Sequence, residues 1–207
     1  MLTINILRVA YDDGLFPMAE GEGPKAEILW YRPKKRAVFL PESFHVPRRL
    51  ARMIRGSDLT LRWNEDFAGV IHECGAQRKE GSWINPEILR AYTEWHEAGE
   101  AFCLSVYRGE VRVGGIYGVQ RGGVFMAESM FSREPNASSI ALVALVKGLW
   151  RAGIEMVDYQ FENPHLAKFH PVLLTNKQYM ARLEMLREKK TVLRAEDFLT
   201  SASEAEQ

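Results

Sequence analysis

Two short stretches of this chain place polar groups where an apolar core has no use for them. Val157-Asp158-Tyr159-Gln160 carries a carboxylate and an amide two residues apart, so on a strand Asp158 and Gln160 share one face. Glu128-Ser129-Met130-Phe131-Ser132 sets polar groups among apolar ones at the end of another strand-like run. Side by side, these groups read as a site that accepts hydrogen bonds and offsets positive charge. Covalent chemistry is not implied: Ser129 and Ser132 have no His–Asp set near them in the sequence. His165 and His170 are five apart, off the helical ligand spacing, and Cys74 and Cys103 lie far away. No metal and no cofactor are therefore expected.

The elements that position these groups begin with a β-hairpin. Val111, Val113 and Ile116 to Val119 suit one strand, Gln120-Arg121-Gly122-Gly123 the turn, and Val124 to Met126 the return strand. A helix follows, capped by Asn136 or Ser138 and filled by Ile140 to Trp150, and then a strand from Ile154 to Gln160. Upstream, Leu2 to Tyr11 predicts a helix, followed by a flexible Glu/Gly/Pro stretch to Pro24. Ala37 to Leu40 and Leu59 to Trp63 predict strands, and His45 to Arg55 and Phe67 to Cys74 predict helices. Gly81 to Pro86 predicts a loop, with Pro86 opening a helix whose apolar face holds Tyr92. Phe102 to Tyr107 predicts a strand. Asn163 to Phe169 and Tyr179 to Lys190 predict helices, and Ser201 to Gln207 a frayed end. The mixture predicts an α+β fold (an α/β-type mixed sheet flanked by helices), with residues 1–60 as a small N-terminal unit before a domain at 61–207.

The totals narrow the class. The chain has 207 residues, 27 Lys plus Arg against 27 Asp plus Glu, and two cysteines. Balanced charge requires any nucleic-acid site to be a local patch. The candidates are Lys34 and Lys35, in a basic run with Arg36, and Arg48, Arg49, Arg52 and Arg55, whose spacing lines charge along one side of a helix. A solvated basic face accounts for the arginines equally well. No apolar run is long enough to span a membrane and no signal peptide is evident, so a reducing cytoplasm is the expected location.

Several short motifs, taken in order, carry a resemblance. They are Phe16-Pro17, Ile28-Leu29-Trp30, Arg36-Ala37-Val38, Phe44-His45-Val46, Trp83-Ile84, Ala91-Tyr92, Val113 to Val119, Glu128 to Ser132, Asn136-Ala137-Ser138 and Asp158-x-Gln160. Together they resemble the leucyl/phenylalanyl-tRNA–protein transferases from about Ile6 to Tyr179. The resemblance implies a GNAT-like (N-acetyltransferase-like) C-terminal domain behind a small N-terminal domain. It implies transfer of Leu or Phe, with Met allowed by a roomier pocket, from aminoacyl-tRNA to the N-terminal amine of proteins beginning with Arg or Lys. The product is an N-degron. The enzyme is expected to act as a monomer. Met18 stands where the family usually has Trp, Ala127 where it has Gly, and Phe169-His170-Pro171 where it has Leu-Gly-Ala.

On that resemblance the residues take roles. Ile116, Leu142, Leu145, Leu149 and Val157 line the pocket for the transferred side chain, and Met130 is a further candidate from the sequence itself, although each also suits ordinary core. Trp83 stacks on the terminal adenine, Tyr92 bonds the ribose or the amine, and Trp30 matches a family aromatic. Ser129 and Asn163 support the site. Gln160 accepts a hydrogen bond from the attacking amine, Asp158 orients Gln160, and Glu128 holds the aminoacyl end or the cationic acceptor. The donor ester is already activated and an α-amine has a pKa of about 8, so positioning matters more than a strong base. Two rivals share parts of this pattern. An acyl-CoA N-acyltransferase needs a Gly-rich turn before a helix, and Phe131 to Ala137 has no glycine. A non-catalytic RNA-binding adaptor would not need Asp158, Gln160 and Glu128 together. The same chemistry with another amino acid, or with acidic N-termini as acceptors, stays open.

Overall fold

Alternation and punctuation in the sequence become nine strands and six α-helices among the described residues of the computed structural model, which are 1–21, 26–76, 82–198 and 202. Thr3 caps α1 (Ile4–Asp12). An antiparallel pair, β1 (Phe16–Glu20) and β2 (Glu27–Tyr31), follows, and then β3 (Lys35–Phe39). Next come α2 (Arg48–Arg55), β4 (Thr60–Trp63) and α3 (Phe67–Ala76). Asn85 accepts from Ile88 N and Pro86 fills the first turn of α4 (Pro86–Glu97). The hairpin is flanked by β5 (Ala101–Arg108) and consists of β6 (Val111–Arg121) and β7 (Val124–Ser132), joined by Gly122-Gly123 alone. Gly122 has φ +58 and packs against the backbone of Leu186 and Arg187, so a Cβ has no room there. The chain continues through α5 (Ala137–Arg151), β8 (Met156–Asp158), β9 (Val172–Thr175) and α6 (Asn176–Arg187).

Seven strands form one sheet in the order β4-β5-β6-β7-β8-β3-β9, with β7 and β8 parallel and the other pairs antiparallel. β3, from the first 60 residues, sits inside this sheet between β8 and β9. The period of two along β5 sends Phe102, Leu104 and Val106 into one core and Ala101 and Cys103 into the other. The first core is built on α5 and α2. The second holds Tyr11 of α1, Tyr92 and Trp95 of α4 and Tyr179 of α6. Beyond α6, Phe198 stacks on Trp63 with ring centroids 3.5 Å apart, and Ala202 N donates to Leu59 O. Phe198 fills the space left by Gly148 on α5. No helix among the described residues is long and apolar enough to cross a membrane.

The sequence pattern and the structure differ in five places. The segment Asn163 to Phe169 is not a continuous helix; Asn163 caps a single turn through His165, Leu166 and Ala167, and His170, left-handed at φ +55, stops the 3-10 turn Ala167–Phe169. The last long helix starts at Asn176, three residues before Tyr179, where Thr175 and Gln178 form a capping box. Strand β8 stops at Asp158, since Gln160 has φ +65. Asn136 occupies the N-cap of α5 in a left-handed conformation with no side-chain cap; Ser132 Oγ instead accepts from Ser138 N. Finally, β1, β2 and β9 have no counterpart in the reading of the sequence. The Pro24 stretch, the start of the Gly81 loop and most of the C-terminal end lie outside the described residues.

Candidate active site

A β-bulge and a splayed strand pair make the site. Along β6 and β7 the register pairs Tyr117 with Ser129 and then Gly118 with Ala127, which leaves Glu128 as the extra residue. A bulge turns its residue out of the ordinary alternation, and here it turns Glu128 into a cleft. Gly118 opposite has no room for a Cβ against Met126 O and the Phe125 ring. β7 and β8 pair in parallel only as far as Met126 and Asp158, and then part. Glu128 and Gln160 stand on either side of the opening.

Behind the opening, Asp158 is fully buried. Its carboxylate accepts from Arg36 Nε at 3.0 Å, Tyr179 Oη at 2.8 Å and Gln160 N at 2.8 Å, and Arg36 Nη2 lies 2.8 Å from Oδ2. A carboxylate offers about four lone-pair sites, and all are taken. Arg36, 2% exposed, also donates to Gly14 O and lies over the rings of Phe16 and Tyr179. Burial works against the Arg36 charge, but Asp158, Tyr179 and Glu128 hold its pKa above the ordinary value. Asp158 therefore has no open face of its own, and its link to the cleft runs through Gln160.

Gln160 is fixed on three sides. Its N–H goes to Asp158, its C=O accepts from Ala37 N at 3.1 Å, and Nε2 donates to Glu128 Oε1 at 3.1 Å. That leaves the side-chain oxygen as the acceptor atom of the amide, on a residue that lines the cleft. Burial pushes the Glu128 carboxyl up to about 8. A hydrogen bond from Tyr11 lowers it, the Asp158 charge raises it further, and Arg36 pulls it back. Tyr11 in turn bonds Tyr92, and burial raises both phenols.

The cleft has two lobes that share Glu128, Tyr159, Gln160 and Asn163. The first, about 190 Å³, has apolar walls from Ile116, Ala127, Met130, Leu142 and Leu166, with Ser129 beside Glu128. The second, about 410 Å³, is lined by Phe16, Met18, Trp83, Phe161, Glu162 and Pro164.

Of the residues singled out in the sequence, Glu128, Gln160, Ser129, Met130, Ile116, Leu142, Asn163 and Trp83 meet at this cleft. Leu145, Leu149 and Val157 are wholly buried in the core behind the first lobe and do not line it. Tyr92 is also wholly buried and faces Tyr11, so it supports Glu128 at one remove. Trp30 lies elsewhere, in a groove with Ile6 and Val9 of α1. Arg48, Arg49, Arg52 and Arg55 are all exposed on α2, while Lys34 and Lys35 are exposed at the opposite end of β3. Reading by sequence missed Arg36, taken there as part of a surface basic run, and also Tyr11, Tyr179 and Phe161. A signal for Arg36 was present: it precedes the apolar run Ala37-Val38-Phe39, where a strand passes into the core.

Two family models match the chain. Residues 38–184 match leucyl/phenylalanyl-tRNA protein transferase, and residues 1–34 match the N-terminal domain of the same family. Curated relatives carry the name leucyl/phenylalanyl-tRNA–protein transferase. One from Cereibacter sphaeroides is 43% identical over 182 residues, 88% of this chain and 84% of its own. Another, from Pelodictyon phaeoclathratiforme, is 42% identical over 195 residues, 93% of this chain and 99% of its own.

Proposed function

The chain belongs to the leucyl/phenylalanyl-tRNA protein transferase family and is an aminoacyltransferase, and from that premise we propose a division of labour within its cleft. The first lobe takes the Leu, Phe or Met side chain of the aminoacyl-tRNA. The second takes the terminal adenosine, with Trp83 in its wall. The acceptor, the N-terminal amine of a protein beginning with Arg or Lys, meets the ester where the lobes join. Transfer marks that protein for degradation. The enzyme works in the cytoplasm as a single chain, and α2 and Lys34-Lys35 meet the phosphates of the tRNA.

The pinned amide of Gln160 carries this reading. Its free oxygen accepts a hydrogen bond from the amine and aims the nitrogen lone pair at the ester carbonyl. The C–N bond forms, the bond from the carbonyl carbon to the ribose oxygen breaks, and the amine proton ends on that oxygen. Fixing the two reactants can supply up to about 7–11 kcal/mol of the barrier in ideal cases. Glu128, raised to about 8, matches an α-amine of pKa about 8, which suits it to take the amine proton and pass it on. Asp158 is a positioning residue, acting on Gln160 and held by Arg36. The carboxylate of Glu162, in the same lobe as Glu128, favours cationic over acidic acceptors.

The experiment is a transfer assay with tRNAs charged with each labelled amino acid and peptides beginning Arg, Lys, Asp, Glu or Ala. Label moving from Leu-, Phe- or Met-tRNA to Arg or Lys peptides is the expected result. Label reaching only Asp or Glu peptides, or coming only from another tRNA, overturns the specificity. No transfer with tRNA still bound overturns the enzyme reading.

A further inference from the structure

We propose that Phe161 is the face on which the donor's terminal adenine stacks. The inference rests on the reading of the second lobe as the adenosine site. Three other aromatic residues line that lobe, and none offers much ring: Phe16 is 3% exposed, Tyr159 7% and Trp83 9%. Phe161 is 45% exposed. An exposed phenylalanine costs solubility and is usually mobile, yet this one is braced. The Phe16 ring meets it edge-on at 5.4 Å and 82°, and the Tyr31 ring at 6.3 Å and 73°. Phe16 and Tyr31 stack on each other, and Phe16 also carries the Arg36 guanidinium. These contacts brace the ring, and Phe161 lines the lobe with nearly half its surface open.

Phe161 directly follows Gln160. A base resting on it is therefore registered against the amide that aims the amine. The ester between them falls at Gln160 and Glu128, where the two lobes join. A flat apolar plate suits a purine because every base has a π-face and stacking requires no matched hydrogen bond.

The rival occupant of Phe161 is the cationic side chain of the acceptor, held between this ring and Glu162. Kinetics with separate donor and acceptor titrations distinguish the two. The donors are leucyl-tRNA and 3′-leucyl-adenosine, and the acceptor is a peptide beginning with Arg. Phe161→Ala should raise the KM for both donors by about 5- to 150-fold, the range of base–aromatic stacking. It should leave the acceptor KM and the saturated kcat near the unmodified values. Phe161→Trp should keep donor binding, and Phe161→Leu, apolar without a π-face, should lose most of it. An acceptor KM that rises while the donor KM stays put overturns the proposal, as does full donor binding in Phe161→Leu. Failure of the unmodified enzyme to transfer from leucyl-adenosine or leucyl-tRNA would instead overturn the reading of the cleft on which the proposal rests.

Discussion

Gln160 Nε2 donates to Glu128 Oε1 over 3.1 Å, joining a residue two past the end of β8 to the bulge residue of β7. This bond spans the gap opened by the parting strands and fixes the orientation of the amide. In the proposed mechanism it also ties the group that would aim the amine to the group, raised to about 8, that would take its proton. Substitutions can separate these two jobs from each other and from the supports beneath them.

Gln160→Ala should lower the single-turnover rate by about 10²–10³, the usual effect of losing one preorganised hydrogen bond at a reacting centre. Gln160→Gly should lose activity as badly while folding at least as well, because φ +65 strains any residue with a Cβ by on the order of 1 kcal/mol. Single-turnover transfer and thermal melts on both variants make the comparison. Near-normal rates in either would remove Gln160 from the mechanism.

Glu128 links stability to pH with a definite sign. Its folded pKa of about 8 lies above its ordinary 4.5, so between these values the folded state holds a proton that the unfolded state has lost. Stability contributed by this group is complete below 4.5, falls as pH rises, and is gone above about 8. Denaturation curves from about pH 5 to 9 should show that decline in the unmodified chain, and Glu128→Gln should flatten it. The variant should also lose the limb of the kcat/KM profile near pH 8 that belongs to Glu128, leaving the limb of the acceptor amine.

Arg36→Ala should destabilise the fold by about 3–5 kcal/mol, because it strands a buried carboxylate. Pairing Arg36→Met with Asp158→Leu should restore most of that stability in urea melts. Activity should stay lost in the double variant, since Gln160 N then has no carboxylate to hold it. Recovery of transfer along with stability would mean that the ion pair serves the fold alone.

The exposed arginines of α2 make a salt-dependent prediction. Arg49→Glu with Arg52→Glu should weaken tRNA binding. The slope of log K against log salt should flatten by about 0.7–0.9 for each tRNA phosphate that the variant no longer neutralises. Transfer from 3′-leucyl-adenosine, which has no phosphates, should be unaffected. An unchanged slope in filter binding would leave α2 an ordinary solvated face.

Gly148→Ala puts a Cβ into the Phe198 ring. Overpacking of this kind should cost about 1–3 kcal/mol. Limited proteolysis should then cut near Phe198 before the rest of the chain, and the melting temperature should fall by several degrees, about 2–4 °C for each kcal/mol.

Local pattern made much of this legible. The alternation of β5 to β7, the Gly-Gly turn and the run from Ile140 to Trp150 announce the hairpin and α5. Asp158, Gln160 and Glu128 stand out because they interrupt apolar strands. The geometry behind the expected Asp158–Gln160 face was different, since β8 ends at Asp158 and Gln160 turns left-handed. What joins the pair is a backbone bond and not a shared strand face. Arg36 looked like surface charge because its partners lie in β8 and α6, far along the chain. The resemblance places Leu145 and Leu149 in the pocket, and nothing local in the sequence reports how deep their side of α5 lies. Nor does any local signal report a bulge, which exists only in the register between two strands.

The cage around Asp158 has its parts spread along the chain: Arg36 comes 122 residues before the carboxylate, and Tyr179 comes 21 after it. Synthesis delivers these groups in that order. Contacts so distant in sequence form only after the intervening chain exists and the loops between them close. Gln160 cannot be pinned before then, so the nascent chain has no working cleft. The pinned amide is thus a late feature of folding, available only once the chain as far as Tyr179 exists.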